Sequence, residues 1–412
     1  MRTSKGTTAP PGVGRVLANR NFWPYFVGNL LSNSGTWFQN IAQVLLIYRL
    51  TGSPLLVGVV NFSQFAAVLF LAPFSGNAAD RFDRRRLVML MQGCAALLAA
   101  SLAVMTGIGE PSPIVVIAVA LALGVTTAFS TPALQAIVPS LVGRRELPTA
   151  VALNAVTFNL SRALGPIAGV FVIARWDIPT AFAINSLSYL ALIVAMVAVS
   201  PLEAQIIPSE RPKLRESIRM VRARRNLMIP IAVVGLVSFT ADPVNTLTPS
   251  FATDVFSRPD TFTGFLVGAF GAGAVVAALL VTGRWHPSER LMSVTLGLLA
   301  LGIGSFALSN VEWIGLLGLF VGGFGYLASV TAATSILQLD LTDEHRGRTM
   351  SLWSVSFHGV RPIASLVDGA IAALAGIRIA GLAMALPALA GCLGLAAIEI
   401  SRRWASQSSR AL

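Results

Sequence analysis

Residues 76–86 read Gly76-Asn77-Ala78-Ala79-Asp80-Arg81-Phe82-Asp83-Arg84-Arg85-Arg86. Two carboxylates and four arginines stand in this short segment, which separates apolar runs at 54–79 and 87–108. Crossing a bilayer takes about 20 mostly apolar residues, so each run is long enough to span. The segment then reads as a polar connection between two spanning helices. Its arginines belong at the lipid–water boundary, where anionic headgroups hold them. Gly76 lets a neighbouring helix approach closely. Asp80 ends the first run, where it can cap a neighbouring helix or pair with an arginine.

The pattern continues in both directions. Further apolar runs lie at 22–48, 113–139, 148–174, 179–200, 227–250, 262–283, 291–310, 313–339, 349–375 and 379–400, making twelve in all. The 412-residue chain is 55% hydrophobic and 12% charged, whereas a soluble chain carries about 25% charged residues. Thirty basic and 18 acidic side chains cannot give such a chain a water-facing surface, so most of it is expected to face lipid. One long polar break, 201–226, divides six spans at 22–200 from six at 227–400, with polar tails at 1–21 and 401–412. The first tail lacks the apolar core of a removable signal, so the first span is expected to insert the chain itself.

A net charge of +12 usually suggests nucleic acid, but the placement of the charges excludes that. With the N-terminus assigned to the cytoplasm, 24 basic residues fall in cytoplasmic segments. Only Arg49, Arg175, Arg258 and Arg378 fall outside. This asymmetry follows the positive-inside rule and predicts both termini in the cytoplasm. Cys94 and Cys392 lie inside apolar runs and read as packing residues. The three histidines are scattered, and no Gly-x-x-x-x-Gly-Lys-Ser/Thr sequence exists to bind ATP. Neither an enzyme, a metal site nor a cofactor is expected, and the energy for any work must come from an ion gradient.

The segment 76–86 resembles the signature loop of the major facilitator superfamily, Gly-x-x-x-Asp-Arg/Lys-x-Gly-Arg-Arg/Lys. It matches at Gly76, Asp80, Arg81, Arg84 and Arg85 and departs at Asp83, where the family has Gly. The resemblance implies an all-α membrane protein of twelve transmembrane helices in two pseudo-symmetric six-helix bundles. It also implies a loop that latches the halves in one state of the cycle, with Asp80 as the charge that changes partner; topological anchoring by the arginines is the plainer reading. A faint duplication fits: Pro166-Ile167-Ala168 and Pro362-Ile363-Ala364 stand 196 residues apart, and internal repeats mark secondary transporters.

Gly165-Pro166-x-x-Gly169 resembles the Gly-Pro motif of the superfamily's antiporters, although Ser161 and Ala152 replace its further glycines. The stretches Gly35-Thr36-Trp37-Phe38-Gln39 and Leu50-Thr51-Gly52-Ser53-Pro54 resemble the branch that holds siderophore exporters and macrolide efflux pumps. This implies proton-coupled export of an amphipathic small molecule by alternating access, from the cytoplasmic membrane of a bacterium, by a monomer. A lipid flippase of the same fold and a non-transporting membrane sensor are the alternatives.

Ionisable groups inside a span are expensive and mark function by default. Arg162 lies mid-span in the fifth span; His358 and Arg361 lie mid-span in the eleventh, three residues apart and so on one helical face. Asp242 lies in the seventh span and Asp368 near the far end of the eleventh. An arginine cannot escape burial by losing its proton, so Arg162 and Arg361 require water, an acidic partner or an anionic substrate. Asp242 can take up a proton and is the expected carrier, with Asp368 and His358 next; a static Asp–Arg pair that fixes packing is the alternative. By the family resemblance the first, fourth, seventh and tenth spans line the cavity. There Asn33, Trp37, Asn40, Gln43 and Asn245 are expected to bind substrate with Arg162 and Arg361.

Overall fold

The computed structural model describes residues 12–143, 145–200, 219–281, 284–340 and 343–408. Both termini, part of the central break (201–218), and the basic residues Arg144, Arg410 and Lys213 lie outside the described residues. A short helix α1 (Val13–Leu17) leads into six long ones: α2 (Phe22–Thr51), α3 (Pro54–Arg81), α4 (Arg84–Ile108), α5 (Pro113–Leu141), α6 (Leu147–Trp176) and α7 (Ile178–Ala198). The seventh rod is broken into α8 (Arg225–Thr240), α9 (Pro243–Thr246), α10 (Thr248–Ser250) and a π turn at Phe251–Val255. Then come α11 (Thr263–Val281), α12 (Glu289–Leu308) and α13 (Glu312–Asp340). The eleventh rod is also broken, into α14 (Asp343–His358) and α15 (Val360–Ala375), before α16 (Ile377–Ser408) ends the chain.

Local chemistry sets the breaks. Proline has no N–H to donate to the carbonyl four residues earlier. Pro243 leaves Phe239 O without its helical donor, and the Asp242 N–H turns to it instead at 3.3 Å. Pro362 does the same to His358 O, next to Gly359, where α14 stops and α15 begins. Starts are capped in the ordinary way: Asp83 accepts from the Arg86 N–H at 2.7 Å and Ser288 from the Leu291 N–H at 3.2 Å.

Among the described residues, ten helices are long and apolar enough to cross a membrane. The remaining two rods of the expected twelve are α2, which carries five Asn/Gln side chains in its middle, and the interrupted α14–α15. These two departures from simple hydropathy fall where polar residues are concentrated. With no strand among the described residues, the chain is an all-α membrane protein of the expected architecture.

Helices α2–α7 pack on one another, as do α8–α16. Buried apolar side chains fill each group: Ile41, Leu45, Ile47 and Phe182 in the first, and Val237, Leu266, Leu299 and Phe306 in the second. The groups meet along α3 with α15 and α6 with α11. At the face away from the termini they are tied together. Arg49, ending α2, reaches Asp177 in its own group at 3.0 Å and Asp260 in the other at 2.5 Å. Beside it, Tyr48 bonds Thr253 at 2.9 Å and Asp254 at 3.1 Å. Asp177 is held at φ 86°, a region few non-glycine residues occupy, in the one-residue corner between α6 and α7.

Exposure changes along α6 away from that tie. Val170 is buried against Gly264 of α11. Val156, on the same side of α6 but nearer the termini, is 55% exposed.

Candidate functional site

Arg162 projects from the middle of α6 across to the second group. Its guanidinium donates to the Tyr326 hydroxyl of α13. Its Cζ lies 4.7 Å from the Tyr326 ring centre and 5.8 Å from those of Trp37 and Phe357. Three aromatic faces thus surround one cation, an arrangement that partly offsets the loss of water. Arg361 of α15 is 6% exposed. Its Cζ lies 5.6 Å from Phe357 and 5.7 Å from Phe65 of α3.

His358 does not share a continuous helical face with Arg361, because Gly359 and Pro362 interrupt the helix between them. The two are nevertheless neighbours. The His358 ring stands edge-on to Phe357 at 4.9 Å, and its Nδ1 lies 3.3 Å from the Ser354 carbonyl.

A small cavity of about 30 Å³ opens beside Arg361, lined by Trp37, Asn40, Asn61, Phe65, Asp242 and Asn245, with Pro166 at its edge. That is the space of roughly one water molecule, so it is a niche of apolar walls, Ile41, Val44 and Val267 among them, with a few polar groups, and no chamber for a whole organic molecule. Asp242, at the α8–α9 break, is 4% exposed and accepts from the Thr246 hydroxyl at 2.9 Å. Asn61 of α3 donates to that same hydroxyl at 3.5 Å. Asp368 is fully buried on α15, and neither of its carboxyl oxygens has a hydrogen-bond partner. Among the described residues, no ion pair within 4.0 Å joins Asp242 or Asp368 to an arginine. The static Asp–Arg pair weighed from the sequence is therefore not formed in this conformation.

The other expected residues divide. Trp37, Asn40 and Asn245 line the niche with Asp242 and Arg361. Asn33 turns back on its own helix, donating to Asn29 Oδ1 at 2.8 Å. Asn29 in turn donates to Asn154 of α6 at 2.9 Å, as Tyr25 does, so this polar stripe joins α2 to α6. Gln43 lies one turn beyond Gln39, whose carbonyl accepts from Asn185 of α7. Gln43 is 1% exposed without a hydrogen-bond partner and is not among the niche residues. Asn33 thus belongs to the α2–α6 seam.

Gly165 and Gly169 form the close α2–α6 crossing. A Cβ on Gly165 would stand 2.7 Å from Trp37 Cβ, and one on Gly169 would stand 3.0 Å from Phe38 O. Ser161, in place of a motif glycine, bonds Ser34 at 2.9 Å across the same seam. The 76–86 segment forms the α3–α4 corner. Asp83, which replaces the family's Gly, has φ −58° and caps α4, so the turn needs no glycine there. Arg84 donates to Ala136 O near the end of α5 at 3.1 Å, and Arg85 to Val197 O in the last turn of α7 at 2.8 Å. Cations suit these helix C-termini. Gly76 lies in the last turns of α3, with Asp80 and Arg81 exposed at its end.

Tyr326, Phe357, Phe65, Asn61 and Ser365 complete the site, yet no charge singles them out in the sequence. Only Tyr326 carries a readable signal: it is one of four tyrosines in the chain and the lone hydroxyl-bearing aromatic of its span.

The family described as transmembrane secretion effectors matches residues 15–411. The staphyloferrin A transporter of Staphylococcus aureus is 24% identical over 365 residues, covering 86% of this chain and 90% of that protein. Macrolide efflux protein A of Streptococcus pyogenes is 22% identical over 375 residues, covering 87% and 90%. Among solved structures, a bacterial homologue of the human lysosomal transporter Spinster, inward-facing and unoccupied, superposes with a TM-score of 0.75 at 11% identity, covering 94% of this chain and 97% of that one. Twelve rods in two groups, the 76–86 corner and a match over nearly the full length agree: the chain belongs to the transmembrane secretion effectors of the major facilitator superfamily, a family of multi-pass membrane transporters.

Proposed function

We propose that the protein exports an amphipathic small molecule with anionic character, such as a siderophore, a drug or a related metabolite, in exchange for protons and by alternating access. One observation carries the reading: Arg162 and Arg361 converge from the two groups at mid-depth, over the shared ring of Phe357, with no carboxylate among the described residues closing an ion pair on either. A buried guanidinium at Arg361 and a half-buried one at Arg162 repel each other, and an anion between them relieves that repulsion. The aromatic faces of Trp37, Tyr326 and Phe357 suit the apolar part of the same molecule. The names of the relatives, a staphyloferrin transporter and a macrolide efflux protein, support export of such compounds.

In this reading the tie at Arg49 and Tyr48 closes the extracellular face, and the groups open toward the cytoplasm. Substrate enters there against Arg162. Asp242, beside Arg361 but not bonded to it, carries the coupled proton. Moving one proton down 100 mV yields about 2.3 kcal/mol, enough for roughly fifty-fold accumulation of a neutral solute.

The test uses purified protein in liposomes with an imposed pH gradient and labelled siderophores, macrolides and fatty-acid-like anions. Gradient-dependent movement of an anionic compound supports the reading, and vesicles that move none of them refute it.

A further inference from the structure

Asp368 is the most isolated charge-bearing group of the site. It is fully buried, and both its oxygens lack a partner. It sits where α15 meets α3 most tightly. A Cβ on Gly58 of α3 would stand 2.2 Å from Ser365 O, and one on Gly369 would stand 3.0 Å from Pro54 O. No side chain can slip between these backbones, and the cavity described above ends short of them.

The neighbours of Asp368 offer no counter-charge. Helix α3 has no ionisable residue between Pro54 and Ala79. From the seventh rod, Asp242 faces it with the Thr246 hydroxyl beside both carboxyls. On its own helix, Arg361 lies seven residues back, about 10 Å along the axis, over Phe65 and Phe357. On α16, Arg378 is engaged with Ala307 O and Asn310. A carboxylate in this place would be an unpaired buried charge facing a second acid, which costs several kcal/mol. Parting α3 from α15 would instead admit water to it.

We infer that closure of the α3–α15 seam requires a proton on Asp368: the extracellular gate shuts only when this carboxyl is neutral, and deprotonation wedges it open. The two acids then divide the labour. Asp368 reads the proton supply on the side away from the termini, and Asp242 delivers the proton toward substrate and Arg361. This rests on the proton-coupled reading above. It makes a conformational claim that can fail while transport stands.

Spin labels at Ser112→Cys and Leu374→Cys, in a Cys94→Ala, Cys392→Ala background in lipid nanodiscs, report the separation of the two groups at that face. Double electron–electron resonance is recorded from pH 5 to pH 9, with sodium or choline as the only cation. The expected result is a growing long-distance population as pH rises. Asp368→Asn should stay closed at every pH, Asp368→Glu should restore the dependence, and Asp242→Asn should retain it. Three results would overturn the inference: an Asp368→Asn variant that opens with pH as the parent does, loss of the dependence in Asp242→Asn alone, or closure at high pH produced by sodium. A misfolded Asp368→Asn would be recognised by its elution profile, and Asp368→Glu then decides. If liposomes transport nothing while the distances still follow Asp368, the transport reading fails and this one survives.

Discussion

Arg162 and Arg361 come from different six-helix groups, and their guanidinium carbons lie 5.8 and 5.6 Å from the centre of one ring, that of Phe357. Each is the only arginine within its rod's core, and they meet because α6 and α15 both cross the middle of the junction. The pair makes a cationic site with one half on each group; in the cycle proposed above, its halves separate as the groups rock and hold substrate differently in each state.

Replacing Arg162 with Ala should weaken an anionic substrate by roughly ten- to a hundredfold, the range for losing one charge-assisted hydrogen bond. A neutral analogue should weaken far less. Binding by isothermal calorimetry to detergent-purified protein measures both; equal losses would make Arg162 a structural side chain. Phe357→Leu should keep the volume but remove the shared ring, costing about 0.5–2 kcal/mol of the same affinity.

Asp242→Asn should leave substrate binding intact and abolish exchange driven by a pH gradient. Counterflow without a gradient should persist, because neither binding nor rocking needs a titrating group at that position. Gradient-driven uptake that survives the substitution would place the proton elsewhere.

Arg49→Gln removes contacts to Asp177 and Asp260 together. These side chains are partly exposed, so each contact contributes about 0.5 kcal/mol, and the open population of that face should rise by roughly two- to fivefold. A membrane-impermeant maleimide reacting with Asn61→Cys from that side reads the change; unaltered labelling would remove the tie from the gate.

Gly169→Leu places a large side chain against Phe38 O and Ile41 in the α2–α6 seam. Overpacking of this kind costs about 1–3 kcal/mol, visible as a several-degree fall in Tm by nanoscale fluorimetry. Asp83→Gly should change Tm little, since glycine replaces an N-cap at a cost of only a few tenths of a kcal/mol, and the turn already has an unstrained φ.

Asp80→Asn should reduce transport with expression unchanged if the 76–86 corner latches the groups in another state. Undiminished export would leave that corner as an anchor, the role in which Arg84 and Arg85 bind the ends of α5 and α7.

Much of this protein was readable from its residues because lipid imposes a simple rule: backbone polar groups must be satisfied within each span, so spans are helices, and hydropathy locates them. The 76–86 segment, the polar break at 201–226 and the mid-span arginines follow from where charge can and cannot sit. The broken rods were not foreseen: 227–250 and 349–375 read as continuous spans, although Pro243 and Pro362 each remove a helical donor. Nor was partnership between distant residues. Nothing local tells Arg162 that its cation will rest on Tyr326, 164 positions away, or that Asn33 will turn back on Asn29 while Asn40 lines the niche. The seclusion of Asp368 likewise comes from Gly58 and Gly369, small residues whose meaning appears only when two backbones touch. Solvation determines which segments span; the crossing of helices, decided by packing of the whole chain, determines which charges meet.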